Sequence, residues 1–280
     1  MDHLDDAIDV ARSSLGRFAP WLTIDAAHPG SWSDGAMTLA DLVADDGAGI
    51  DRVLQWWDQL RPGDPGGAPG VIGTVAWALF HPQLVAVREA RKLITVDVTR
   101  ARVDLFGDDD DPTRVWWPTD TQIEPVGDDE GDVEAAYRHL VGQAVVALEP
   151  LVELVRTQVS LGRRGLWAHV VGTFNGVGPD YVDPDPDRLS AELVIMERAR
   201  AGSPLAQRAV LLDLDRPDGR RRLVRTSACC LAYLAPYEPD EDDPRPWANG
   251  PWISYCTRCP LIPEEETIAR AHYWLDEKER

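Results

Sequence analysis

The sequence predicts a mixed α+β fold, with helical N-terminal and central segments, two small antiparallel β patches, and a C-terminal region holding all four cysteines. Three observations support this. Long stretches repeat apolar residues every three or four positions, the spacing of one helix face. Two shorter regions switch to alternating β-branched and polar residues, the spacing of a strand. Pro/Gly-rich and acidic runs punctuate the change from one period to the other. On this reading residues 1–126 form an α+β region and 127–205 a helical region. Residues 206–280 form a β region with the cysteines and a terminal helix.

A first helix is expected over Leu4 to Leu15, where Leu4, Ile8, Ala11 and Leu15 share a face. Others follow over Thr38 to Ala44 and Ile50 to Leu60. Arg61 to Gly70 (RPGDPGGAPG) reads as a loop, and a helix then covers Thr74 to Lys92 with a kink at Pro82. Leu93–Val98 and Arg102–Phe106 alternate and read as a hairpin, to which Arg114–Trp117 adds a third strand. Asp108–Asp111 and Asp128–Asp132 read as acidic loops. From Val133 the stripe Val133, Tyr137, Leu140, Ala144, Leu148, Leu151 and Val155 marks a long helix, bent or split at Pro150. Further helices are expected at Arg164–Phe174 and Arg188–Arg200. The last strands are Ala209–Leu214, Arg221–Thr226, Cys230–Leu234 and Trp252–Tyr255. A final helix from Pro263 to Glu279 carries Glu264, Glu265 and Glu266 in its first turn, where carboxylates suit the helix dipole.

The bulk properties exclude several functions. A formal charge of −20 over 280 residues argues against nucleic acid, whose phosphates need clustered cations. It also disfavours adhesion to anionic lipid. The most apolar segments, Val71–Val87 and Leu140–Val159, are interrupted by His81, Pro82, Glu149, Pro150 and Glu153, so no stable membrane insertion is expected. The opening MDHLDDAIDV is acidic and lacks a basic-then-apolar leader. The expected location is the cytoplasm, with a peripheral place at the inner face of the membrane left open.

No cysteine precedes Cys229, and all four lie in one short C-terminal stretch as Cys229, Cys230, Cys256 and Cys259. In a reducing compartment such a set points to a metal rather than to disulfides. Cys256-Thr-Arg-Cys259 is a C-x-x-C, whose spacing lets two thiolates from one turn grip the same centre. Cys229 and Cys230 are adjacent. On an extended strand they point to opposite faces, so both reach one centre only where the backbone turns. A two-iron cluster spreads its ligands over two metals and relaxes that demand, which favours [2Fe–2S] over zinc. Structural zinc usually has two to four residues between paired ligands. Zinc, or plain core cysteines, are the alternatives.

The order Cys-Cys, then Cys-x-x-Cys-Pro-Leu, preceded by Arg-Thr-Ser, resembles the FhuF-like ferric siderophore reductases. The matching residues are Arg225, Cys229, Cys230, Leu231, Tyr233, Cys256, Cys259, Pro260 and Leu261, within Arg221–Ile262. Arg164-Gly-Leu-Trp-Ala-His169 is similar to a Leu-Trp helix upstream in that family. The resemblance implies that the four cysteines hold a [2Fe–2S] cluster. It further implies a reductase that passes one electron to the ferric iron of a siderophore, so that Fe(II) is released. The departure is the gap: the stretch Leu231–Tyr255 separates Cys230 from Cys256 and is longer than its counterpart in the family. The excess is rich in Pro, Asp and Glu (PYEPDEDDPRP), and a loop absorbs such length at an entropic cost that grows only logarithmically.

Arg225 and Arg258 are candidates for tuning the cluster or touching an anionic group of the substrate, and Trp252 and Tyr255 for shielding it from water. Arg220, Arg221 and Arg222 read equally as solvated arginines beside the turn Arg216-Pro-Asp-Gly219. Trp56, Trp57, Trp116 and Trp117 read as core, His169 as a structural histidine, and the alternating Asp183, Asp185 and Asp187 as a helix-capping loop. GDPGGAPGVIG has neither the dinucleotide fingerprint nor a Walker lysine, so an electron-donor protein is the implied partner. Two other functions compete: a structural four-cysteine zinc protein, and a ferredoxin-like carrier with another acceptor.

Overall fold

The computed structural model describes residues 2–15, 22–27, 35–44, 47–60, 63, 66–105, 113–175, 182–183, 185–225, 245, 247, 250, 255 and 259–278. The architecture is α+β, as expected.

Helix α4 (Gly67–Ala90) is the buried axis, and α1 (Asp2–Leu15), α5 (Glu130–Gln158) and α6 (Arg163–Phe174) pack around it. Nearly every residue of α4 from Val71 to Arg88 is buried, because partners cover it on all sides. It is the one described helix long and apolar enough to cross a membrane, and most of that apolar stretch is buried inside the fold. It begins within the stretch the sequence reads as a loop. Pro69 is tolerated in the first turn, where its missing N–H has no partner to lose. Gly67 and Gly70 lie against the Trp57 indole of α3 (Ala48–Leu60), and a Cβ on Gly67 would fall 2.8 Å from Trp57 Cδ1. Loop composition here serves close helix packing.

Neither internal proline ends its helix. α4 runs through Pro82 and α5 through Pro150 as single elements. Each proline removes one backbone bond, while buried neighbours on both sides, Leu148, Leu151 and Val152 around Pro150, hold the turns in place. The acidic run before α5 is largely helix rather than loop. Asp129 caps it by accepting from the Asp132 N–H at 2.9 Å, with Glu130 and Asp132 in the first turn. A capping box between Thr38 and Asp41 opens the short α2 (Leu39–Leu42).

The expected hairpin at 93–106 does not form. Its two strands exist, β2 (Lys92–Thr95) and β3 (Arg102–Asp104), in different sheets. Between them Asp97 accepts from the hydroxyl of Thr99 at 2.6 Å and its carbonyl accepts from the Ala101 N–H, making a turn that parts the strands. β2 pairs antiparallel with β5 (Gln122–Pro125). β3 pairs antiparallel with β4 (Thr113–Trp117), the expected third strand, and β4 also pairs in parallel with β1 (Leu22–Ala26). β1 is absent from the sequence reading; LTIDA offers only Leu22 and Ile24 as an alternating pattern. Arg12 of α1 holds it, donating to the Ile24 carbonyl at 2.6 Å and to Asp25 at 2.7 Å.

The C-terminal part is a small layered unit. β7 (Val210–Arg216) and β8 (Gly219–Arg225) form a hairpin across Pro217-Asp218, with Gly219 at φ +132, a conformation that glycine adopts at little cost. β6 (Val182–Asp183) extends it along β8. Alternation along the strands sends Leu211 and Val224 to one face, against Leu189 and Leu193 of α7 (Pro186–Arg200). Leu212, Leu214 and Leu223 face the other way, against Ile268, Ala271 and Leu275 of α8 (Glu264–Lys278). The strands among the described residues thus fall in three sheets rather than two patches, one of them containing a parallel pair. The expected strands Cys230–Leu234 and Trp252–Tyr255 lie outside the described residues, apart from Tyr255.

Candidate metal centre

β8 ends at Arg225, four residues before Cys229. Its guanidinium reaches the turn that follows the second cysteine pair. Nη2 donates to the Cys259 carbonyl at 3.2 Å, Nε donates to the same oxygen at 3.4 Å, and Nη2 also donates to the Ile262 carbonyl. The strand that leads into Cys229 and Cys230 is therefore tied to the segment that leaves Cys259. Sequence alone suggested a role for Arg225 beside a cluster or substrate; the geometry gives it a tether to two backbone carbonyls.

Cys259 is buried. Its Sγ accepts from the Leu261 N–H at 3.5 Å, and its carbonyl also accepts from the Ile262 N–H at 3.4 Å. Hydrogen bonds to ligand sulfur help set the potential of a cluster. A cysteine sulfur sheltered from water and supported by a backbone donor fits a soft metal centre, zinc or iron–sulfur.

The second tether is Arg270, which sequence reasoning missed. It lies on α8 with its side chain fully buried, 0% exposed. Nη1 donates to the Tyr255 carbonyl at 2.5 Å and Nε donates to Glu266 Oε1 at 2.7 Å. The guanidinium also lies over the Trp247 ring, 4.9 Å from its centroid. Trp247 meets Tyr273 edge-on at 5.2 Å. Tyr255, itself half-buried, immediately precedes Cys256. The one sequence sign of Arg270 is its position four residues after Glu266, the spacing of a helical ion pair. Its burial depends on Trp247 and Tyr255 folding back over α8, which no local pattern encodes.

Cys229, Cys230, Cys256, Arg258 and Trp252 lie outside the described residues. Among the described residues no three His, Cys, Asp or Glu side chains form a group able to hold a metal. Arg220 pairs with Asp187 at 3.0 Å, Arg221 with Asp218, and Arg222 with Asp213 at 2.7 Å. Hydrogen bonds from Arg222 and Arg221 hold Asp213 and Asp218 below the usual carboxylate range. These three arginines are thus neutralised on the hairpin and at the start of α7.

Other singled-out residues have structural places. Trp116 and Trp117 are buried, and His169 is half-buried on α6 facing Gly73 of α4. Asp185 caps α7, accepting from the Arg188 N–H at 3.0 Å. No protein-family model matches the chain and no curated protein matches it, so the likeness to the FhuF-like reductases rests on the quoted residues alone.

Proposed function

We propose that this chain is a cytoplasmic ferric-siderophore reductase whose Cys229, Cys230, Cys256 and Cys259 hold one [2Fe–2S] cluster. The observation that supports this best is the Arg225 tether, which ties the end of β8, four residues before Cys229 in the sequence, to the backbone of Cys259 and Ile262. The sheltered thiol of Cys259 and the adjacency of Cys229 and Cys230 add to it.

When bound, such a cluster supplies one electron at a time, received from an electron-donor protein and passed to the ferric iron of the substrate. Iron in hard oxygen donors is held far less tightly as Fe(II) than as Fe(III), so the chelate releases it. The protein's own work is to hold the four sulfurs and keep water from them. Burial of Cys259 and the N–H from Leu261 do this on one side. The charge of −20 favours a cationic chelate or a basic donor by steering.

The test is anaerobic reconstitution with iron and sulfide, followed by metal and sulfide analysis and an absorption spectrum. Fe(II) is then trapped from ferric hydroxamate and catecholate chelates under reducing conditions. A brown protein bleached by dithionite that releases Fe(II) from a chelate supports the proposal. A colourless protein with stoichiometric zinc points to the structural zinc module, and a loaded protein inert toward every chelate points to a carrier with another acceptor.

A further inference from the structure

We infer that the cleft between α6 and the segment leading into β7 binds a compact oxyanion of two or more negative charges, a phosphate or a polycarboxylate, with Arg164 and Arg208 as its cationic partners. The inference goes beyond the cluster reading and does not depend on it. The cleft has a volume of about 590 Å³, within the range of small-molecule sites, roughly 300–1,000 Å³. Arg164, Gly165 and Ala168 line it from α6, and Ala206, Gln207 and Arg208 from the segment before β7.

Charge and construction set this cleft apart from a solvated surface. The chain carries 48 acidic residues against 28 basic ones, so carboxylates are plentiful. Arg163 pairs with Glu149 and Glu153, and Arg198 with Glu130 and Glu134. Among the described residues Arg164 and Arg208 pair with no carboxylate, although both line the same cleft. Arg164 also stands in the first turn of α6, where a cation opposes the helix dipole. Glu197 is engaged by the Ala209 N–H at 3.2 Å. The backbone that carries both arginines is held in place. Gln207 donates its side-chain amide to the Arg164 carbonyl at 3.1 Å. The Ser203 hydroxyl accepts from the Leu205 N–H at 3.1 Å and donates to the Arg200 carbonyl at 2.7 Å. A prebuilt wall lowers the ordering cost of binding. A guanidinium keeps its charge at any ordinary pH, and its planar fork matches carboxylate or phosphate oxygens in pairs. Arg208 lies two residues before Val210, whose register partner on β8 is Arg225. The cleft therefore lies at the end of the hairpin where Arg225 grips the Cys259 carbonyl.

The test is thermal unfolding and titration calorimetry of the full chain with inorganic phosphate and with citrate, each against sodium chloride at matched ionic strength. Wild type is expected to show a raised midpoint and saturable binding with at least one of the two, and which one binds tells phosphate from polycarboxylate. Arg164→Gln and Arg208→Gln, both at exposed positions, keep the midpoint of the free protein and each weaken binding about tenfold. Ala206→Trp, also at an exposed position, leaves both charges in place and fills the cleft, and should weaken binding as much. Arg220→Gln removes one positive charge from the pair with Asp187 and should leave the affinity unchanged. Binding of neither anion beyond chloride overturns the inference. So does wild-type affinity in Ala206→Trp or in both cleft-arginine variants, or a loss in Arg220→Gln equal to that in Arg208→Gln.

Discussion

The guanidinium of Arg225 sits 3.2 Å from the carbonyl oxygen of Cys259, joining two segments distant in the chain. A planar donor of this kind can serve two carbonyls at once, and the Ile262 carbonyl is the second. The contact fixes the exit of β8 against the start of α8. Replacing Arg225 by Gln takes the guanidinium from both carbonyls, leaving that of Cys259 the Ile262 N–H, and should cost about 2 kcal/mol. Denaturant unfolding of the metal-free protein measures this, and a loss under about 0.5 kcal/mol, the low end for a single hydrogen bond, would contradict the tether.

Gly67 and Gly70 admit the Trp57 indole against α4. Gly67→Ala alone should destabilise by about 1–2 kcal/mol, since the new methyl meets the ring close to its attachment point and overrides the helix propensity of alanine. In a Trp57→Ala background the same change should be neutral or stabilising. A double-mutant cycle on thermal unfolding reads the sign reversal, and additivity of the two changes would refute it.

His81 is buried in α4 and stacked on Trp77 at 5.4 Å, with no hydrogen-bond partner at either ring nitrogen. Burial, assisted by the Arg88 charge, pushes its pKa down to about 3. The folded state therefore holds the neutral ring, while the unfolded chain takes up a proton below about pH 6.5. Stability from this group is complete above pH 6.5 and declines as pH falls toward 3, by about 1.4 kcal/mol per unit. Between pH 7.5 and pH 5 wild type should lose about 2 kcal/mol more than His81→Phe in urea unfolding. Equal losses would show that His81 titrates alike in both states.

Arg88, nearly fully buried, lies 2.8 Å from Glu89 and 3.6 Å from Glu192, which also accepts from the Tyr137 hydroxyl at 3.3 Å. Burial raises the pKa of Glu192 even with Arg88 present. Arg88→Met should cost about 3 kcal/mol by leaving Glu192 without its ion-pair partner between α4, α5 and α7, while Glu89 keeps Arg188 at 2.8 Å. A carboxyl whose folded pKa is raised favours the folded state at low pH and loses that contribution as pH rises through it. The defect should therefore be larger at pH 8 than at pH 5. Adding Glu192→Gln should recover much of the loss at pH 8; no recovery would place the cost elsewhere.

Helices were the most legible part of the fold. The stripe from Val133 to Val155 carries its period in the residues themselves, and every member is buried in α5. α4 and α5 continue through Pro82 and Pro150 because the packing of a long buried helix outweighs a proline's local penalty. The 93–106 strands were correctly located and wrongly paired, since partner choice depends on segments distant in the chain. Of the candidate site, Arg225 could be singled out by its nearness to Cys229, whereas Arg270 lies among ordinary helix residues.

What the sequence alone determines is chemistry and periodicity: four thiols confined to the stretch Cys229–Cys259, a charge of −20, and the faces that each helix and the β7–β8 hairpin must bury. These follow from residue type and short-range spacing. Only the tertiary structure decided that α4 is the covered axis, that β4 joins β1 and β3, and that Arg225 and Arg270 grip carbonyls at Cys259 and Tyr255. Such choices depend on which distant surfaces meet and exclude water, and the free energy of that meeting belongs to pairs of segments rather than to either one.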